Sequence, residues 1–187
     1  MTQDLADVVH WAIREGLADS TRVAIYGGSY GGYATLCGLA FTPELYACGV
    51  DEVGPSSLRT TIASFPPYWK ARRKRWLLRM GDVLADTVLN QKVSPLYHTD
   101  HMRAPLLIGH GVNDPRVKIT ESVQIAAALR KRGVPVTFVV YPDEGHGFAR
   151  PENNQDFYGR MEDFLAKYLH GRVEPWKKVE GSSAELR

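Results

Sequence analysis

Apolar positions recur along the chain in alternating rhythms. Leu5, Val8, Val9, Ala12 and Ile13 fall at offsets of three and four, which predicts an amphipathic helix over residues 3–15. Asp4 and Asp7 lie near its positive end, Arg14 lies near its negative end, and Gly16 is a natural stop. RVAIY predicts a short strand at 22–26, and YGGYATLCGLAF predicts a helix at 30–41 closed by Pro43. ACGVDEV predicts a second strand at 47–53. PLLIG at 105–109 and PVTFVVY at 135–141 are continuous apolar runs, as expected of parallel strands covered on both faces. A helix over 119–132, capped by Gly133, separates them. Phe157, Met161, Phe164, Leu165, Tyr168 and Leu169 define one face of a last helix over 155–170.

Residues 56–101 carry no strand pattern. Trp69, Arg73, Trp76 and Met80 have helical spacing, so a helix is predicted over 68–80, with a further turn at 86–90. Residues 172–187 are polar and are expected to fray. Strands alternating with helices indicate an α/β fold with a mostly parallel sheet and helices on both faces. The expected organisation is a domain over 1–171 followed by a polar C-terminal tail over 172–187.

Composition narrows the class. The chain has 187 residues, 44% hydrophobic and 24% charged, which fits one globular domain and excludes disorder or a disulfide miniprotein. No run of about 18 apolar residues exists, so no transmembrane helix and no membrane partner are expected. The start, MTQDLADVVHW, is acidic and amphipathic, unlike a secretory signal. A net charge of +2 leaves no footprint for nucleic acid. Cys37 and Cys48 sit in apolar segments and read as reduced core thiols of a cytoplasmic protein.

The strongest chemical signal is Gly27-Gly28-Ser29-Tyr30-Gly31-Gly32, which contains G-x-S-x-G between a predicted strand and a predicted helix. In that setting the motif reads as a nucleophile elbow. The glycines admit a sharp turn that holds the serine above the sheet, and the Tyr30 N–H is placed to stabilise an oxyanion. The competing reading, a phosphate-binding turn, lacks both G-x-x-x-x-G-K and G-x-G-x-x-G.

A serine hydroxyl needs a base oriented by a third group. Asp114 follows the PLLIG strand, and His146, flanked by glycines, follows the PVTFVVY strand. The order Ser29, Asp114, His146 is that of α/β-hydrolases. His10 and His170 lie on predicted helices as surface or half-buried residues. His98 and His101 lack accompanying metal ligands, so no metal site and no cofactor are expected. His110 reads as a structural hydrogen-bonding residue or pocket lining. The basic run Lys70-Ala71-Arg72-Arg73-Lys74-Arg75 reads as a solvated helix face, or as a lip that attracts acidic substrates or contacts a partner. Phe65, Tyr68, Trp69 and Trp76 read as substrate-pocket lining or as core.

GGSYGG, SPLYHTDHMRAPLLIGHGVNDPRV and YPDEGHGFARPENN resemble the catalytic domain of the prolyl oligopeptidase family, over about residues 3–170. The resemblance implies Ser29 as nucleophile, Asp114 as orienter, His146 as base and Tyr30 as one oxyanion donor. Members also carry a β-propeller and further N-terminal strands, including a tyrosine-bearing loop with the second oxyanion donor. The chain begins just before the nucleophile strand. The expectation is therefore a serine hydrolase acting first on small esters, since a reactive ester needs less oxyanion stabilisation than an amide. The alternatives are an aminopeptidase or oligopeptidase acting on peptides, and an incomplete fragment serving as an assembly module. An exposed edge at strand 22–26 would favour self-association into a homo-oligomer.

Overall fold

The computed structural model describes residues 2–187. Its centre is a five-stranded sheet in the order β1-β2-β3-β4-β5. The first four strands, β1 (Ala24–Gly28), β2 (Cys48–Glu52), β3 (Leu106–Gly111) and β4 (Val136–Tyr141), are mutually parallel. β5 (Glu185–Leu186) joins β4 antiparallel. Sequential parallel strands need crossovers, and the chain supplies them with helices. α2 (Tyr30–Phe41) links β1 to β2, and α6 (Thr120–Lys131) links β3 to β4. The longer excursion from β2 to β3 holds α3 (Leu58–Ala63), α4 (Lys70–Met80) and α5 (Thr87–Val93).

Alternation along the strands divides the core into two layers. Leu106, Ile108, Phe138 and Val140 face a layer built with Leu36 and Leu39 of α2 and Ile125 and Leu129 of α6. Leu107, Val139 and Tyr141 face the opposite side, against Phe157 and Phe164 of α7 (Pro151–Leu169). Burial of each such large side chain contributes about 1.5–3 kcal/mol. A third cluster joins the far side of α2, at Tyr33 and Cys37, to Leu58, Ile62 and Val83 of the β2–β3 excursion.

The predicted elements are present with instructive shifts. β1 runs on through Gly27 and Gly28, because their pairing with Asp51 and Glu52 continues the ladder. α7 starts at Pro151, whose fixed φ suits the first helical position. α1 (Thr2–Arg14) buries Ala6, whereas Val8, assigned to its apolar face, is 62% exposed. α3 had no periodic signal, being six residues long.

The C-terminal segment departs from the expected fraying. The Trp176 N–H donates to the Asp163 carboxylate at 3.1 Å, and the Arg160 guanidinium lies 4.0 Å from the Trp176 ring centre. The Ser183 N–H donates to Asn153 Oδ1 at 2.9 Å, and the Arg187 N–H donates to the Phe138 carbonyl at 2.9 Å. A ladder needs only backbone groups, so polar composition does not preclude it.

On its other side β1 carries no strand among the described residues. Tyr26 of β1 is partly exposed, and its hydroxyl donates to Glu52 Oε2 at 3.0 Å. Both cysteines are free and buried, and burial pushes the Cys37 thiol up to about 12 and the Cys48 thiol up to about 11. Among the described residues no helix is long and apolar enough to cross a membrane.

Candidate active site

The site lies at the carboxyl ends of β1, β3 and β4. Ser29 occupies the turn between β1 and α2 at φ 58° and ψ −116°, a conformation that non-glycine residues adopt only when the surroundings impose it. Here the imposition is visible. The Ser29 N–H donates to the Glu52 carbonyl at 2.8 Å, and the Ser29 carbonyl accepts from the Tyr33 N–H at 3.1 Å. A Cβ at Gly27 would lie 2.8 Å from Gly31 Cα, and one at Gly32 would lie 2.7 Å from Gly54 Cα and collide with the Asp51 carboxylate. The turn can close only with glycine at both positions. Tyr30 opens α2, so its N–H has no intrahelical acceptor and remains free for a ligand.

Ser29 Oγ lies 2.8 Å from His146 Nε2, and His146 Nδ1 lies 2.7 Å from Asp114 Oδ2. The ring therefore donates from Nδ1 to the carboxylate and accepts the serine proton at Nε2. Asp114 Oδ1 accepts from the Arg116 and Val117 N–H groups at 2.7 and 2.9 Å. Burial pushes the Asp114 carboxyl up, but the hydrogen bonds from His146, Val117 and Arg116 outweigh it and hold it below the usual range. The carboxylate stays charged where an imidazolium would need it.

Two loops hold these groups in register. The Asn113 N–H donates to the Glu144 carbonyl at 2.9 Å, and Asn113 Nδ2 donates to the Pro142 carbonyl at 2.8 Å. A Cβ at Gly111 would collide with the carbonyls of Glu144 and Gly145, so glycine permits the loops to touch. The buried Glu144 carboxylate accepts from the Ala149 and Arg150 N–H groups and from Asn153 Nδ2, at 2.8–2.9 Å. His110 is fully buried, accepting at Nδ1 from Ser122 Oγ at 2.7 Å and donating at Nε2 to the Val117 carbonyl at 2.9 Å. Burial lowers its pKa, so the ring is neutral and acts as a strut for the Asp114 loop.

A cavity of about 230 Å³ opens beside Ser29 and His146. Tyr30, Thr61, Phe65, Trp69, Trp76 and Val117 supply most of its wall. Arg72 and Arg116 bring positive charge to it. Of the proposed substrate-binding residues, Trp69 and Trp76 line the cavity. Tyr68 does not: it is 78% exposed and only edges against the Trp69 ring. Its place in the short 3-10 turn Pro67–Trp69 points it away from the cavity, a direction that sequence spacing does not encode. His98 bonds the Gln91 carbonyl at 2.8 Å and packs on Phe41.

Sequence reasoning passed over several residues that shape the site. Glu144 was hidden beside the more conspicuous His146, and no local pattern marks its part in clamping the loop. Glu121 on α6 accepts from the Ser56 and Ser57 N–H groups at 3.0 and 2.8 Å, anchoring the chain beyond β2 across 65 and 64 residues. No local pattern reveals such a contact. Asp51 is fully buried behind the elbow, accepts from the Gly54 N–H at 2.8 Å, and is pushed up to about 7 by burial.

A parallel sheet with helices on both faces, a strained serine at a strand–helix turn, and a histidine and aspartate on later strand ends define the α/β-hydrolase class. Residues 1–172 match the prolyl oligopeptidase family, and the chain belongs to it. It is 53% identical over its whole length to dipeptidyl aminopeptidase BIII of Pseudoxanthomonas mexicana, and 43% identical over 98% of its length to dipeptidyl peptidase family member 6 of Caenorhabditis elegans. It spans 27% and 25% of those two proteins. The acylaminoacyl peptidase of Pyrococcus horikoshii superposes with a TM-score of 0.80 at 26% identity, over 96% of this chain and 29% of that one.

Proposed function

We propose that this chain carries the reacting groups of a serine peptidase that releases dipeptides from peptide amino termini. The observation that carries the reading is the unbroken contact from Ser29 through His146 to Asp114, at 2.8 and 2.7 Å. The similarity to two dipeptidyl peptidases supports peptide hydrolysis over the ester hydrolysis expected from the sequence. Ser29 Oγ attacks the peptide carbonyl as His146 Nε2 takes its proton, and Asp114 stabilises the imidazolium. The Tyr30 N–H donates to the oxyanion. Collapse expels the amine, which takes the proton from His146. Water, deprotonated by the same ring, then attacks the acyl-enzyme and frees Ser29.

The test is release of a coumarin amine from dipeptidyl substrates, run beside a short-chain nitrophenyl ester. Turnover of the dipeptidyl amides by wild type and its loss in Ser29→Ala are the expected result. Turnover of the ester alone would return the reading to an esterase. The open side of β1 supports association of copies by strand addition. A monodisperse monomer in sedimentation equilibrium would exclude that association.

A further inference from the structure

We propose that Arg72, Arg75 and Arg79 form an anion-selective subsite beside Ser29, which favours peptides bearing a side-chain carboxylate near the bond attacked. The inference deepens the peptidase reading and rests on it for its substrate. A second cavity, of about 500 Å³, adjoins the first and is lined by Tyr30, Arg72, Arg75, Trp76, Arg79 and Met80. The two cavities share Tyr30, Arg72 and Trp76. Tyr30 and Trp76 meet edge to face at 5.9 Å and form the divider between them. A peptide bound at Ser29 therefore meets Arg72 in the first cavity and needs to pass only one aromatic pair to reach Arg75 and Arg79.

The basic run is not one uniform face. Arg72, Arg75 and Arg79 stand at offsets of three and four on α4, so the helix turns them to one side. Lys70, Arg73 and Lys74 line a separate surface recess with Leu77, Leu78 and Asp82. Among the described residues, none of Arg72, Arg75 and Arg79 has an ion-pair partner. Arg72 is held over the Trp69 ring at 4.5 Å, which leaves the edge of its guanidinium free.

The chemistry selects a carboxylate. Guanidinium groups present paired N–H donors that match its two oxygens. Three like charges on successive turns repel one another, and an anion between them relieves that repulsion. The apolar surfaces of Tyr30, Trp76 and Met80 back the arginines, so they accept the methylenes of an Asp or Glu side chain and exclude some of the competing water. An ordinary solvated helix face offers no such concave, half-apolar wall next to a nucleophile.

The experiment uses the full chain carrying Ser29→Ala, so that peptides bind without being cleaved. Hexapeptides with a free amino terminus and a C-terminal dye are compared as Glu and Gln versions at each residue flanking the target bond, by fluorescence anisotropy. The Glu peptide is expected to bind about tenfold more tightly at low salt, and the advantage should shrink at 0.5 M salt. Adding Arg75→Gln and Arg79→Gln should bring the ratio towards one, and Arg75→Lys with Arg79→Lys should restore only part of it. Equal affinities of the Glu and Gln peptides, or no measurable binding of either, overturn the proposal. Fluorophosphonate labelling of wild type tests separately the activated Ser29 on which the peptidase reading depends. A charge preference without labelling would keep the subsite and remove the peptidase reading.

Discussion

The strand ends and the β2–β3 excursion meet at the same cavity but are built in opposite ways. The loops after β1, β3 and β4 are braced by directional hydrogen bonds: Ser29 to Glu52, Asp114 to Arg116 and Val117, and Glu144 to Ala149 and Arg150. The wall contributed by α4 and the turn before it is held mainly by aromatic edges, among them Phe65 on Trp76 at 5.6 Å and Phe65 on Trp69 at 5.3 Å. No residue of α4 is fully buried. Directional bonds fix reacting atoms to a fraction of an ångström, whereas non-directional packing lets a wall accept varied side chains. The fold thus separates the part that must be exact from the part that can change.

Substitutions can break this division. Ser29→Ala should lower kcat on a dipeptidyl amide by about 10⁶. Thermal melting should show the folded state retained, since the turn's backbone bonds remain. Asp114→Asn should cost about 10⁴ in kcat, because the amide favours the wrong histidine tautomer. An effect of either below tenfold would mean that the strand ends are not the rigid half. Trp69→Ala, on the wall, should instead lower kcat/KM about tenfold through KM, with kcat little changed, as a partly buried aromatic face is lost. A collapse of kcat there would dissolve the contrast.

The smallest expected effect is on pH dependence, and it probes the rigid half from beneath. Burial raises the Asp51 carboxyl from the usual 3.8 to about 7, so the folded chain keeps a proton that the unfolded chain loses earlier. Its contribution to stability is fully present below about 4 and is lost as pH rises through about 7. Melting temperature should therefore fall across that interval in wild type and fall less in Asp51→Asn. Parallel slopes for the two proteins would show that Asp51 is not the group responsible.

What the sequence disclosed follows the same divide. Ser29, Asp114 and His146 were legible because each sits where a strand pattern breaks into glycines, and local chain geometry dictates both the pattern and the position. The four parallel strands were legible for the same reason, apart from a residue or two at their ends. Tyr68 was not, because its outward direction comes from a single turn at Pro67–Trp69 and not from spacing. Arg72 and Arg75 were seen only as part of a basic run, since dividing the run between two cavities depends on how α4 rotates against Tyr30. Glu121 and Glu144 act across loops whose approach no local pattern records. The C-terminal segment was misjudged because backbone pairing with β4 leaves no trace in side-chain composition.

The two covered cysteines have a consequence for chemical selectivity. A thiol held near 11 or 12 offers almost no thiolate at neutral pH, and burial shields what little forms. A reagent that reacts with thiolates finds almost none to take in the folded chain. A thiol-directed reagent should therefore spare Cys37 and Cys48 while the chain is folded, with alkylation there appearing only as the chain unfolds. Thiol labelling then becomes a clock for opening of the core, and modification at Ser29 reports on the intact site.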